Sequence, residues 1–168
     1  MWKNYFRKSK IISVDIFDKS QLQEKRIKIY EGSQIDKDLL NIMDIESGPF
    51  DIIIDDGSHI NNNVITTFNH LFPKLKKGGI YVIEDTQTSY WPDMGGKVSE
   101  RNNEDTIYGF FKSLIDGLNY KEYMISNYSP NYFELNIVGI HFYHNLIFIY
   151  KNDNIEESNV ISNGKRMF

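Results

Sequence analysis

The chain has 168 residues, 40% of them hydrophobic and 25% charged, which is the size and mix of one soluble globular domain with room for a core. A net charge of -4 argues against an extended nucleic-acid-binding surface, and the absence of cysteine excludes disulfides, thiolate metal sites and cysteine nucleophiles. No apolar run approaches the roughly 18 residues of a membrane span, and the opening MWKNYFRKSKIISVDIF lacks the apolar centre of a signal peptide, so the expectation is a cytoplasmic protein without a membrane partner.

In chain order, residues 10–16 (KIISVDI) predict a strand with Asp15 near its end, and residues 26–30 (RIKIY) a second short strand followed by Glu31-Gly32-Ser33-Gln34. Residues 36–43 carry a short helical pattern, and Ser47-Gly48-Pro49 breaks it. A strand over 51–54 then ends abruptly in Asp55 and Asp56, with His59 three residues beyond. Residues 61–75 place Val64, Ile65, Phe68, Leu71 and Phe72 at helical spacing, and Gly78-Gly79 turns the chain into a strand over 80–83 that ends in Glu84 and Asp85. An aromatic loop with Tyr90, Trp91 and Pro92 follows, which suits a substrate lid. Residues 106–118 read as helix, and 133–143 and 146–150 as an antiparallel hairpin around His144-Asn145. The stretch from Asn152 is polar and reads as a loose tail, so the division is a domain over 1–151 and a tail over 152–168.

Short apolar runs of this kind suit strands buried on both faces of a parallel sheet, and in open α/β sheets ligands bind outside the carboxyl ends of the strands. Two neighbouring strands would aim Asp56, Glu84 and Asp85 into one crevice, with His59 on the loop beside it. Three carboxylates with a histidine suit a divalent cation held by oxygen, plus a general base. The fold class is α/β: a Rossmann-like, mostly parallel sheet with a C-terminal antiparallel hairpin.

The segments DIFDKS (15–20), RIKIYEGSQID (26–36), FDIIIDDGSH (50–59), LFPKLKKGGIYVIEDTQTSYWP (71–92) and IHFYHNLIFIYK (140–151) resemble the macrocin O-methyltransferase family. These are class I S-adenosylmethionine-dependent enzymes that methylate sugar hydroxyls, and the DDGSH and IED-x-x-TSYWP pair is the specific part of the likeness. The resemblance implies magnesium held by Asp56, Glu84 and Asp85, and His59 as the base. It implies Asp15 on the cofactor ribose, with Ser33, Gln34 and Asp55 near the adenosine. Ser33 stands where the family more often has an aspartate. The substrate class is a small-molecule or glycan-linked sugar in glycan or secondary-metabolite biosynthesis, and a homo-oligomer stays open.

Class I methyltransferases begin their sheet with a strand and a Gly-rich turn around the methionine end of the cofactor. Here Met1-Trp2-Lys3 resembles the helix after that turn, so the expectation is that the first strand and Gly-rich loop are missing from this sequence. Two alternatives follow. Some relatives carry the name hydroxylase, but the two-histidine, one-carboxylate iron set is not evident around Asp56. A non-catalytic remnant or binding module that keeps the metal crevice is the alternative from another class.

Overall fold

The computed structural model describes residues 1–167. A short helix, α1 (Trp2–Tyr5), precedes β1 (Ile11–Asp15) and β2 (Ile27–Glu31), which pair in parallel. The Arg26 guanidinium ties α1 to β2 by donating to the carbonyls of Lys3, Phe6 and Ser9 at 2.8–3.0 Å. Next comes α2 (Lys37–Ser47), started by Asp36, whose carboxylate accepts from the Asp38 and Leu39 amides that a helix start leaves free. Then β3 (Phe50–Asp55), α3 (Asn61–Leu71) and β4 (Leu75–Ile83) form a β-α-β unit with parallel strands.

The remaining elements are α4 (Ile107–Ser113), α5 (Tyr132–Asn136), β5 (Ile137–Tyr143), β6 (Leu146–Lys151), β7 (Ile161–Ser162) and β8 (Lys165–Arg166). The larger sheet runs β3-β4-β6-β5, with β6 antiparallel to both neighbours, so the expected hairpin closes it. Among the described residues β1 pairs only with β2, and β3 only with β4. Phe68 on α3 is the centre of the core: it is fully buried and its ring meets Phe72, Tyr81, Phe111 and Phe133 at centroid distances of 4.8–5.4 Å. The buried Lys151 ammonium donates to the carbonyls of Phe72, Pro73 and Leu75, satisfying both its own charge and the open end of the α3 segment.

Several local expectations change. The helix over 61–75 stops at Leu71 and tightens into a 3-10 turn, Phe72–Lys74, around Pro73. The strand expected at 80 begins at Leu75 and runs through Gly78-Gly79 with a register shift opposite 50–52. A Cβ at Gly79 would collide with the Leu75 side chain and the Asp51 carbonyl, so this irregular strand needs glycine there. The helix over 106–118 divides into α4 and a 3-10 stretch, Asp116–Glu122. Residues 132–136 are helical because Asn131 and Glu134 form a reciprocal capping box. Within residues 152–167 the buried Asn154 carboxamide donates to the carbonyls of Gly117, Leu118 and Glu134, and β7 and β8 make a small hairpin. Burial on both faces holds for the end of β4, where Tyr81, Val82 and Ile83 are buried, and fails for β3, where Ile52 is 43% exposed.

Candidate metal centre

Strands β3 and β4 deliver their acidic ends side by side. The Glu84 amide donates to the Asp55 carbonyl at 3.0 Å, so the ladder holds the two acidic pairs in register. Beyond each strand, one non-glycine residue adopts a left-handed backbone: His59 at φ 54° and Asp85 at φ 51°. Such conformations cost on the order of 1–3 kcal/mol each and gather at sites where the surroundings over-determine them. Here they turn two side chains toward one point. His59 Nε2 lies 3.7 Å from Asp56 Oδ1 and 3.6 Å from Asp85 Oδ2, and ligand atoms of all three residues fall within 4.8 Å of one another.

Of the expected ligands, Asp56 and Asp85 are thus brought together, with His59 between them. Glu84 is half-buried just behind and lies outside that trio, although it senses it. Burial first, then the Asp56 and Asp85 carboxylates, push its carboxyl above the ordinary value. Among the described residues no lysine or arginine forms an ion pair with Asp56, Glu84 or Asp85. Crowded carboxylates without a cationic partner are an oxygen donor set for a hard divalent cation, with the imidazole beside it. The residues present therefore fit magnesium. His59 Nδ1 is buried without a hydrogen-bond partner.

The residues expected around the nucleoside lie at the carboxyl ends of β1, β2 and β3. Asp15 Oδ1 accepts from the Phe17 amide at 2.9 Å, and Ser33 Oγ accepts from Ile35 at 3.4 Å. Asp55 is buried, and desolvation raises its carboxyl to about 6 against the opposing pull of the Gly57 amide and the Gln34 carboxamide. Beneath it the Tyr81 phenol is wholly buried without a partner in hydrogen-bonding geometry; burial, then the Asp55 charge, hold its pKa well above the usual value.

Two features escaped sequence reading. The Asn61 carboxamide, 1% exposed, donates to Thr88 O (3.0 Å) and Met94 O (2.8 Å) and accepts from Ile107 N (2.7 Å), stapling the loop after Asp85 to α3 and α4. Nothing in the run Asn61-Asn62-Asn63 marks the first asparagine as the buried one except its place at the start of a helix. The second is Tyr108 on α4, stacked between Tyr90 (5.6 Å) and Phe142 (6.0 Å) and hydrogen-bonded to Thr86. The aromatic loop forms two 3-10 turns, Thr86–Tyr90 and Pro92–Met94, with Tyr90 and Trp91 39% and 46% exposed.

No family model matches the chain. It is 46% identical over 157 residues to the mycinamicin VI 2''-O-methyltransferase of Micromonospora griseorubida, covering 93% of this chain and 39% of that protein. It is also 46% identical to the demethylmacrocin O-methyltransferase of Streptomyces fradiae, with 93% and 40% covered. The fold superposes with a TM-score of 0.88 on the solved structure of the MycE methyltransferase from the mycinamycin biosynthetic pathway in complex with Mg and SAH, at 46% identity, covering 93% of this chain and 41% of that one. A further structure of that enzyme, which also holds mycinamycin VI, superposes with a TM-score of 0.87. The chain spans about 40% of the length of the curated relatives it matches.

Proposed function

We propose that this chain, homologous over 93% of its length to the macrocin-type sugar O-methyltransferases, carries a magnesium- and S-adenosylmethionine-dependent O-methyl transfer to a sugar hydroxyl. The observation that carries the reading is the convergence of Asp56, His59 and Asp85 at the carboxyl ends of two adjacent parallel strands, on a fold that superposes on a methyltransferase solved with Mg and SAH. Asp56, Glu84 and Asp85 would hold the cation. Asp15, Ser33, Gln34 and Asp55 would line the nucleoside end of the crevice. The substrate is a small-molecule or glycan-linked sugar, met in the cytoplasm; no helix among the described residues is long and apolar enough to cross a membrane.

A sugar hydroxyl is too weak an acid to ionise at neutral pH. Magnesium lowers that acidity barrier and orients the hydroxyl, while the sulfonium supplies an electrophilic methyl group. The chain's own contribution is a base and a fixed geometry. His59 Nε2, within 3.7 Å of both flanking carboxylates, is the atom we assign to take the hydroxyl proton as the new O–C bond forms and the C–S bond breaks. The buried Asn61 staple and the β3/β4 ladder keep the two acidic loops from drifting, and alignment is what such a displacement needs most.

Asp56→Ala or Glu84→Ala is expected to remove most magnesium-dependent turnover at an unchanged melting temperature. Methyl transfer that persists in excess chelator would overturn the assignment. The edges of β1 and β3 that pair with no strand among the described residues favour a second reading, a binding module that keeps the cation crevice without turnover. Cation binding without any methyl transfer would decide for it.

A further inference from the structure

We propose that Gln34 is a positioning residue of the metal centre: its carboxamide clamps the loop that carries Asp56 and His59 against α3. The inference rests on the cation reading above and deepens it. Gln34 follows β2, whereas the loop follows β3, 24 residues later in sequence from Gln34 to Ser58. Across that separation Gln34 Oε1 accepts from the Ser58 amide at 2.5 Å. Its Nε2 donates to Asp55 Oδ1 at 3.1 Å and to Thr67 Oγ1 at 3.0 Å. Thr67 is buried on α3, and its hydroxyl lies 2.8 Å from Asn63 O and 3.1 Å from Gln34 O.

The amide orientation follows from this network. Flipping the carboxamide would set an oxygen against the Asp55 carboxylate and an N–H against the Ser58 N–H. In the orientation observed, both N–H groups and the carbonyl find partners within the protein. Gln34 therefore holds both ends of the Asp55-Asp56-Gly57-Ser58 turn, and Asp56 and His59 are the residues that turn aims.

Gly57 supplies independent support. A Cβ there would collide with the Gln34 Oε1, Cδ and Nε2 atoms, although the Gly57 backbone lies outside the left-handed region. A side chain at this position would have to push the Gln34 carboxamide out of its place, so glycine here permits the close approach of Gln34 and serves no special backbone conformation. Helix α3, through Thr67, thus becomes the fixed wall against which one half of the centre is set.

The test is Mn2+ binding to the chain, followed by electron paramagnetic resonance of the free ion, with thermal melting in parallel. Gln34→Met keeps the side-chain volume and loses the three hydrogen bonds. It is expected to weaken Mn2+ binding by about tenfold or more, the range found when outer-shell partners of a metal site are removed. Gly57→Ala should do the same. In a Gln34→Ala background, however, Gly57→Ala should add little, because the atoms its methyl would strike are gone. Mn2+ affinity within about twofold of wild type for Gln34→Met, while Asp56→Asn abolishes binding, would overturn the clamp and leave the cation reading standing. Effects of Gln34→Ala and Gly57→Ala that simply multiply would also overturn it. A wild-type chain that holds no Mn2+ would overturn the cation reading and the clamp together.

Discussion

Replacing Asn61 with alanine tests whether one buried carboxamide holds the second acidic loop. The side chain is 1% exposed and makes three hydrogen bonds, to Thr88 O, Met94 O and Ile107 N. Ile107 is the first residue of α4, and its amide is one that a helix start leaves without an internal partner. Alanine would strand the Met94 carbonyl and this amide, whereas Thr88 O keeps the Trp91 amide as its donor. Each stranded group costs roughly 1–3 kcal/mol, and water entering the small gap offsets part of it, so the expected loss is about 2–4 kcal/mol. For a domain of this size that is a fall in melting temperature on the order of 10 °C. Asn61→Asp keeps the acceptor for Ile107 but turns a carboxylate toward two carbonyls, and should be at least as damaging. Guanidinium unfolding followed by circular dichroism gives both values. An Asn61→Ala protein that melts within about 2 °C of wild type would refute the staple, because stranding even one of these groups should cost more.

His59→Ala should lower methyl transfer on the order of a hundredfold or more while leaving cofactor affinity nearly unchanged, as measured by steady-state kinetics and titration; a wild-type rate would assign the proton to another acceptor. Phe68→Ala removes the ring at the centre of the core and should cost about 3–5 kcal/mol in denaturant unfolding, whereas a loss below about 1 kcal/mol would show a core built elsewhere. His70 has its pKa lowered from 6.5 by burial and then by Lys74 and Lys37, so the folded protein favours its neutral form. Its contribution to stability is complete above pH 6.5 and falls as the pH drops toward the lower folded-state value; His70→Gln should flatten that part of the pH–stability curve, and an unchanged curve would contradict it. Among the described residues one edge of β1 and one edge of β3 pair with no strand, which predicts concentration-dependent association in sedimentation, and a monomer at every concentration would contradict it.

What was legible in sequence was whatever depends on local chemistry. Apolar runs that stop at acidic pairs located the ends of β3 and β4, and 3.6-residue spacing located the buried face of α3. The resemblance then supplied roles for those acids. What depended on contacts between distant segments was not legible. Histidine and aspartate enter the left-handed backbone region more readily than most residues, but nothing in the sequence singles out His59 and Asp85 for it. The contacts of the Gln34 carboxamide with Ser58, Asp55 and Thr67 join segments 21 to 33 positions apart, which residue spacing does not show. The early start of β4 was obscured by two glycines that resemble a turn and instead accommodate a strand irregularity. The Asn131–Glu134 capping box was present in the sequence, yet the β-rich run after it carried the expectation. Residues 152–167 are held by contacts with distant segments, among them a buried asparagine whose partners lie 20 to 37 positions away.

The central claim is methyl transfer to a sugar oxygen at this crevice, and the most direct measurement is the product itself. The chain is incubated with methyl-labelled S-adenosylmethionine, magnesium and a macrolide glycoside with free sugar hydroxyls, and the acceptor is analysed by mass spectrometry with and without chelator. The account predicts the label on a sugar hydroxyl oxygen, present with magnesium and lost with chelator or with Asp56→Ala. Label that appears equally in the presence of chelator, or that is absent although the cation is bound, would contradict it.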